Sequence, residues 1–361
     1  MPRRIGFSLL VSLFFMLLLG GCVISPRRTL GGGSTPTPTP TPSATPTPTP
    51  TPTPIPASGV LYVTSGSQNS IVRFGNAFTA NGNVSPGGTI SGTATNLNTP
   101  IYLALDSAAD RLFVANRTSA SILIFDQASS KNGNVAPTRA ISGTTTGLFV
   151  PIQPVLDKTR DLLYVSDDVD VLVFASASTA NGNVPFARDI QPGFSVGAIL
   201  VDAANDRLFV TDPTGNAVDV FDHASTLNGA VTPTRQITGA ATGLGQPVGL
   251  QIDGSGRLVV TNSSPASITV YNAAATANGN QAPVATISGS NTGFVSPNQI
   301  VLDTTVRDTL YVADPGSGTI SVFTSFSSAN GNLAPTRTIS GAATTLTTTG
   351  QNSGIALDVS R

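Results

Sequence analysis

Residues 101–143 read IYLALDSAADRLFVANRTSASILIFDQASSKNGNVAPTRAISG, and this stretch decides the fold. It parses into four strands, Ile101 to Asp106, Arg111 to Asn116, Ser121 to Asp126 and Thr138 to Ser142. Each is rich in β-branched or aromatic residues and is bounded by Gly, Asn, Asp, Ser or Pro, the residues that make turns. No helical period is visible.

The same unit is written six times. Its clearest word is an Asn-Gly pair at Asn81-Gly82, Asn132-Gly133, Asn181-Gly182, Asn228-Gly229, Asn278-Gly279 and Asn330-Gly331. Strand-rich units recurring at about 50 residues cannot bury both faces alone and stack as propeller blades. The array begins at a second strand, Leu61 to Val63, and ends at a first strand, Gly354 to Asp358. Joining those ends completes a sixth blade and removes two open edges. The expectation is an all-β, six-bladed β-propeller over residues 59–361, its C-terminal strand closing the N-terminal blade.

Two segments precede the ring. Residues 1–21 carry Arg3, Arg4 and an apolar run from Ile5 to Leu19, which reads as a secretory signal too short to span a membrane. Leu19-Gly20-Gly21-Cys22 resembles the bacterial lipobox, so Cys22 is expected to be acylated and the mature protein held at a membrane of the cell envelope. Val23 after the cysteine resembles an outer-membrane sorting signal. Cys22 is the single cysteine, so no disulfide forms within the chain. Residues 22–58 form a linker whose Thr-Pro repeat, Thr35 to Pro56, extends as a polyproline spacer of about 70 Å. It could also accept O-linked sugars.

Charged residues make up 10% of the chain and the net charge is -1, which gives no field to gather nucleic acid. A monomer is expected. His223 is the only histidine, too little for a His-rich zinc site or a serine triad at the channel mouth, and no P-loop or Rossmann fingerprint occurs.

The stretches LYVTSGSQNSIVRF from Leu61, LFVANRTSASILIF from Leu112 and LVVTNSSPASITVY from Leu258 resemble the YVTN and NHL groups of bacterial propeller repeats. That resemblance implies a binding scaffold more often than an enzyme. The absence of tryptophan argues against WD40.

What recurs in every unit is read as structural. The third-strand aromatics Phe74, Phe125, Phe174, Phe221, Tyr271 and Phe323 are expected in the core between blades. The Asp that ends each first strand should accept N–H groups in the turn that follows. Asn-Gly should be turn chemistry, with Gly at positive φ. Arg139, Arg188, Arg235 and Arg337 should lie along the outer rim with solvated heads.

Function is sought where the units differ. One top-face position reads Ser65, Asn116, Asp167, Asp212, Asn262 and Asp314, all oxygen donors. They could ring a hard cation such as Ca²⁺, or simply satisfy tight turns. Asp167, Asp168 and Asp170 crowd into one shortened turn and are, with Asp212 and Asp314, the metal candidates. Two functions follow. One is a non-catalytic surface module whose loops Thr144 to Pro151, Ala240 to Pro247 and Asn291 to Pro297 meet a protein or glycan. The other is a Ca²⁺-type hydrolase or lactonase using a cation at Asp167, Asp212 or Asp314.

Overall fold

A computed structural model describes residues 58–304, 307–348 and 353–361. The signal segment, Cys22 and the Thr-Pro repeat lie outside the described residues. Within them the chain forms six sheets of four antiparallel strands, the third extended by a two-residue parallel strand, Gly229–Ala230, from the next blade. Blade two holds Pro100–Asp106, Arg111–Asn116, Ser121–Asp126 and Arg139–Ser142. The first strands of blades three to six are Pro151–Asp157, Ile199–Asp202, Pro247–Ile252 and Ile300–Asp303.

Blade one is completed from the far end of the chain. Ile355–Asp358 pairs antiparallel with Val60–Ser65, placing Val60 opposite Asp358 and Val63 opposite Ile355. Gly59 N–H donates to the Arg361 carbonyl at 2.7 Å and Thr64 N–H to the Gly354 carbonyl at 3.0 Å. The fold is a six-bladed β-propeller.

The core is six clusters, one at each blade junction. Leu61, Val63 and Phe74 of blade one meet Tyr311, Ile320 and Val322 of blade six, and Phe125 seals the junction of blades one and two. All six third-strand aromatics are fully buried in this way, as expected. The acids that end first strands also behave as read: Asp157 accepts from Thr159 and Arg160 N–H at 3.0 and 3.1 Å, and Asp253 from Ser255 and Arg257 N–H. Asp106 differs, pairing with Lys158 of the next blade at 3.2 Å.

Two repeated features do more than their local sequence suggests. The Asn-Gly glycines do take positive φ, but the motif also clips each blade to the one before. Gly133 N–H donates to the Thr89 carbonyl at 2.6 Å, Asn132 Oδ1 accepts from Thr89 N–H at 2.8 Å, and Asn134 Oδ1 caps the Ala94 N–H at 2.7 Å. Asn83, Asn183, Asn280 and Asn332 repeat the last contact on Ala343, Thr145, Ala241 and Asn291. Blade four carries Ala230 in place of this asparagine, and the segment it meets, Gln191-Pro192-Gly193, lacks the capped turn.

The fourth-strand arginines are not free at their heads. Arg139, Arg188 and Arg235 donate to the carbonyls of Ala180, Ala224 and Ala275 in the following blade. Arg337 donates to Ala77 and Ala80 at 3.1 and 2.8 Å, across the junction that closes the ring. Carbonyls in a turn that no ladder reaches need a donor, and the arginine fork supplies it. Replacing Arg337 by methionine keeps the stem and removes both bonds, orphaning the Ala80 carbonyl and leaving Ala77 with the Tyr311 hydroxyl at 3.2 Å. The expected loss is about 1–3 kcal/mol in urea denaturation; an unchanged midpoint would show that water serves those carbonyls equally well.

Candidate functional site

First strands run from the top face toward the bottom, so the top carries the turns between second and third strands and the loops arriving from the preceding blade. The oxygen-bearing ring lies here, with all six members buried. Four of them face the incoming loop of their own blade. Asn116 Oδ1 accepts from Asn98 N–H at 2.6 Å and Asn262 Oδ1 from Gly245 N–H at 3.0 Å. Asp314 accepts from Val295 and Ser296 N–H at 2.7 and 2.9 Å. Asp167 accepts from Phe149 N–H at 2.7 Å and from Val150 N–H.

Asp212 departs because the loop reaching blade four is short. It accepts instead from Thr214 and Gly215 N–H in its own turn, at 3.0 and 2.8 Å. These side chains fasten loops whose N–H groups have no strand partner. Asp167, Asp212 and Asp314 belong to three different blades, and among the described residues no three His, Cys, Asp or Glu side chains group closely enough to hold a metal ion. Ca²⁺ and the metal-dependent hydrolase have no geometric support in this ring.

The acids of blade three are neighbours along one sheet without forming a metal-sized cluster. Asp167 faces Asp170 across a two-residue turn. Asp170 and Asp189 sit on one face of the sheet, Asp189 pairing with Leu172. Among the described residues, none of Asp167, Asp168, Asp170 or Asp189 forms an ion pair with Lys or Arg. Burial first, then Asp189, Asp167 and Asp168, push the Asp170 carboxyl up to about 7. Burial also raises Asp167, against the pull of its two N–H donors.

An aspartate whose folded pKa lies above its unfolded value binds its proton more tightly when folded, so stability falls as pH rises from about 4 through 7. Asp170→Asn should remove most of that slope and be more stable than the parent at pH 8 by about 1–2 kcal/mol, allowing for solvent around a half-buried group. Thermal melts across this range check it; parallel curves for the two proteins would refute the assignment. Asp219, buried and raised to about 6, adds a slope of the same sign and is the internal control.

The top face also carries exposed apolar side chains in blades three and six. Phe149 is 75% exposed, Val169 57% and Val295 58%. Phe149 and Val295 occupy equivalent loop tips, each held through its N–H by the buried acid of its blade. A cavity of about 440 Å³ opens beside Val169 and Asp170, walled by Gln191, Gly193, Phe194 and Ser195. Sequence reasoning named the loops but not their tips. The signal was available, since large apolar residues stand out in loops otherwise made of Gly, Thr and Asn.

No protein-family model and no curated protein matches this chain. Likeness appears among solved structures. A functionally unknown protein from Desulfotomaculum acetoxidans is 12% identical, with a TM-score of 0.50 over 74% of this chain and 75% of its own. A chain from a nidogen/laminin complex is 15% identical, with a TM-score of 0.54 over 84% of this chain and 99% of its own. Identities this low establish the propeller fold and nothing about chemistry.

Proposed function

We propose that this chain is an exported, lipid-anchored propeller of the YVTN/NHL-like kind that acts as a non-catalytic scaffold for a protein or glycan at its top face. The observation that carries this reading is the pair of exposed tips, Phe149 and Val295, held out on loops fixed by buried carboxylates. Large apolar side chains held rigidly in solvent cost little ordering entropy when covered, which is what a binding anchor needs. The likeness to a chain crystallised within a two-protein complex is in keeping with a ring used for contact. Gly, Thr and Asn around the tips offer adaptable hydrogen bonds to a glycan or a peptide backbone.

Anchoring rests on the lipobox-like Leu19-Gly20-Gly21-Cys22, and the Thr-Pro segment supplies the spacer between lipid and ring. Metabolic labelling with a fatty acid should mark the wild-type chain and leave Cys22→Ser unlabelled. For the binding face, the protein is used as bait on cell-surface extracts beside a Phe149→Ser, Val295→Ser double variant. Capture by the parent alone supports the reading; equal capture, or none by either, removes the top face from consideration.

A further inference from the structure

The six first strands surround the ring axis and enclose a cavity of about 300 Å³ walled by side chains such as Leu103, Val155, Leu200, Val301 and Leu357. Among the described residues, Tyr102 crosses its top. Tyr102 of blade two reaches toward the opposite side of the ring, its hydroxyl within bonding reach of the Val248 carbonyl in blade five at 3.3 Å and of Asn298 Oδ1 in blade six. Tyr102 and Asn298 line a separate depression on the top face with Arg117 and Pro315. The axial cavity stops beneath them and runs down to Lys158 at the bottom of the first strands.

Two amides face this space. Gln153 Oε1 accepts from Ile199 N–H of the next blade at 3.1 Å, and Gln299 Oε1 accepts from Ile355 N–H at 2.7 Å. A backbone N–H can only donate, so each amide must turn its oxygen to the neighbouring strand and its NH₂ away. Both residues are only 6% exposed, and both line the cavity. Neither NH₂ donates to a protein group among the described residues. Donors held at the wall of a partly enclosed space are served by an acceptor placed in it, because leaving them unpaired is costly. Gln251, half-buried, adds a third amide to the wall.

We propose that the axial cavity binds a small neutral molecule with a carbonyl-type acceptor directed at Gln153 and Gln299 and an apolar body along the leucine and valine wall. Neutrality follows from the charges. Among the residues lining the cavity the single cation is Lys158, which stands at the opposite end and is paired with Asp106, so a carboxylate at the amide end would be buried without a counter-ion. The volume sets the size, since it equals the liquid share of about ten waters. Molecules enter from the bottom face, away from the proposed docking loops, so this site stands independently of the top-face reading.

Cyclohexanone is a suitable probe, with cyclohexanecarboxylate as its charged counterpart. Titration of the full chain, followed by saturation-transfer NMR and calorimetry, should show saturable binding of the ketone and at least about tenfold weaker binding of the acid. Gln299→Glu keeps the acceptor for Ile355 N–H but removes the donor, and should weaken ketone binding by about tenfold, the worth of one such bond. Gln251→Phe fills the cavity and should abolish binding, with Ala104→Phe as a second plug and circular dichroism melts confirming that both still fold. Absence of saturable ketone binding, or binding that survives both plugs, overturns the proposal and leaves a channel that holds water only.

Discussion

Ending the chain after Ser353 should abolish the cooperative melt of the ring. The truncation removes Ile355–Asp358, so Val60–Ser65 loses its ladder on one side and becomes an exposed edge. It also removes Ile355 from the junction of blades one and six, where it is fully buried. Deleting one such core side chain costs about 2–5 kcal/mol. Whole domains are stable by only about 5–15 kcal/mol. Adding the lost ladder and the lost Gln299 contact to Ile355 brings the cost to the size of the total. Light scattering should rise as well, because an unpaired strand edge templates association. A truncated protein that melts like the parent would mean the ring does not depend on its last strand.

The second large effect is expected at the blade clips. Gly341 has φ 108 and ψ 168, and a Cβ there would lie 2.6 Å from Asn83 Oδ1. That oxygen caps Ala343 N–H at 2.7 Å, so it cannot move without orphaning the donor. Gly341→Ala therefore combines backbone strain of about 1–3 kcal/mol with a lost hydrogen bond of about 0.5–1.5 kcal/mol and the displacement of Asn83. Gly82→Ala is the comparison. Its φ is 69 and nothing lies within 4 Å of a Cβ, so only the left-handed penalty of about 1–2 kcal/mol applies. Differential scanning calorimetry should show a clearly larger fall for Gly341→Ala; equal falls would mean that Asn83 is not seated against that glycine.

The architecture was readable because each unit repeats the same hydrophobic alternation, and because a second strand at Leu61 and a first strand at Asp358 complete each other. The roles of Asn132 and Arg337 were not readable from one unit, since their partners lie in neighbouring blades. A comparison between units does hold a clue: Ala230 replaces the second asparagine of the clip, and the preceding blade lacks the glycine turn it would cap. The top-face ring misled for a physical reason. Asp and Asn satisfy orphaned N–H groups with the same oxygens that would bind a cation, and composition cannot separate the two uses. The axial amides were missed because Gln153 and Gln299 look like ordinary polar strand residues. Aligned four places before the acid ending each first strand, they stand with Tyr102, Ala198, Gly249 and Gly354, and each glutamine precedes a small residue in the next blade. That pairing of long amide with small neighbour was the signal.

Hydrogen exchange at the C-terminal strand tests closure most directly. If Ile355–Asp358 is the inner strand of blade one, its amides should exchange as slowly as those of Ile300–Asp303, the inner strand of blade six, and open only with the whole ring. Exchange at the rate of a free tail, with Ile300–Asp303 still protected, would show that the ring is open at that blade.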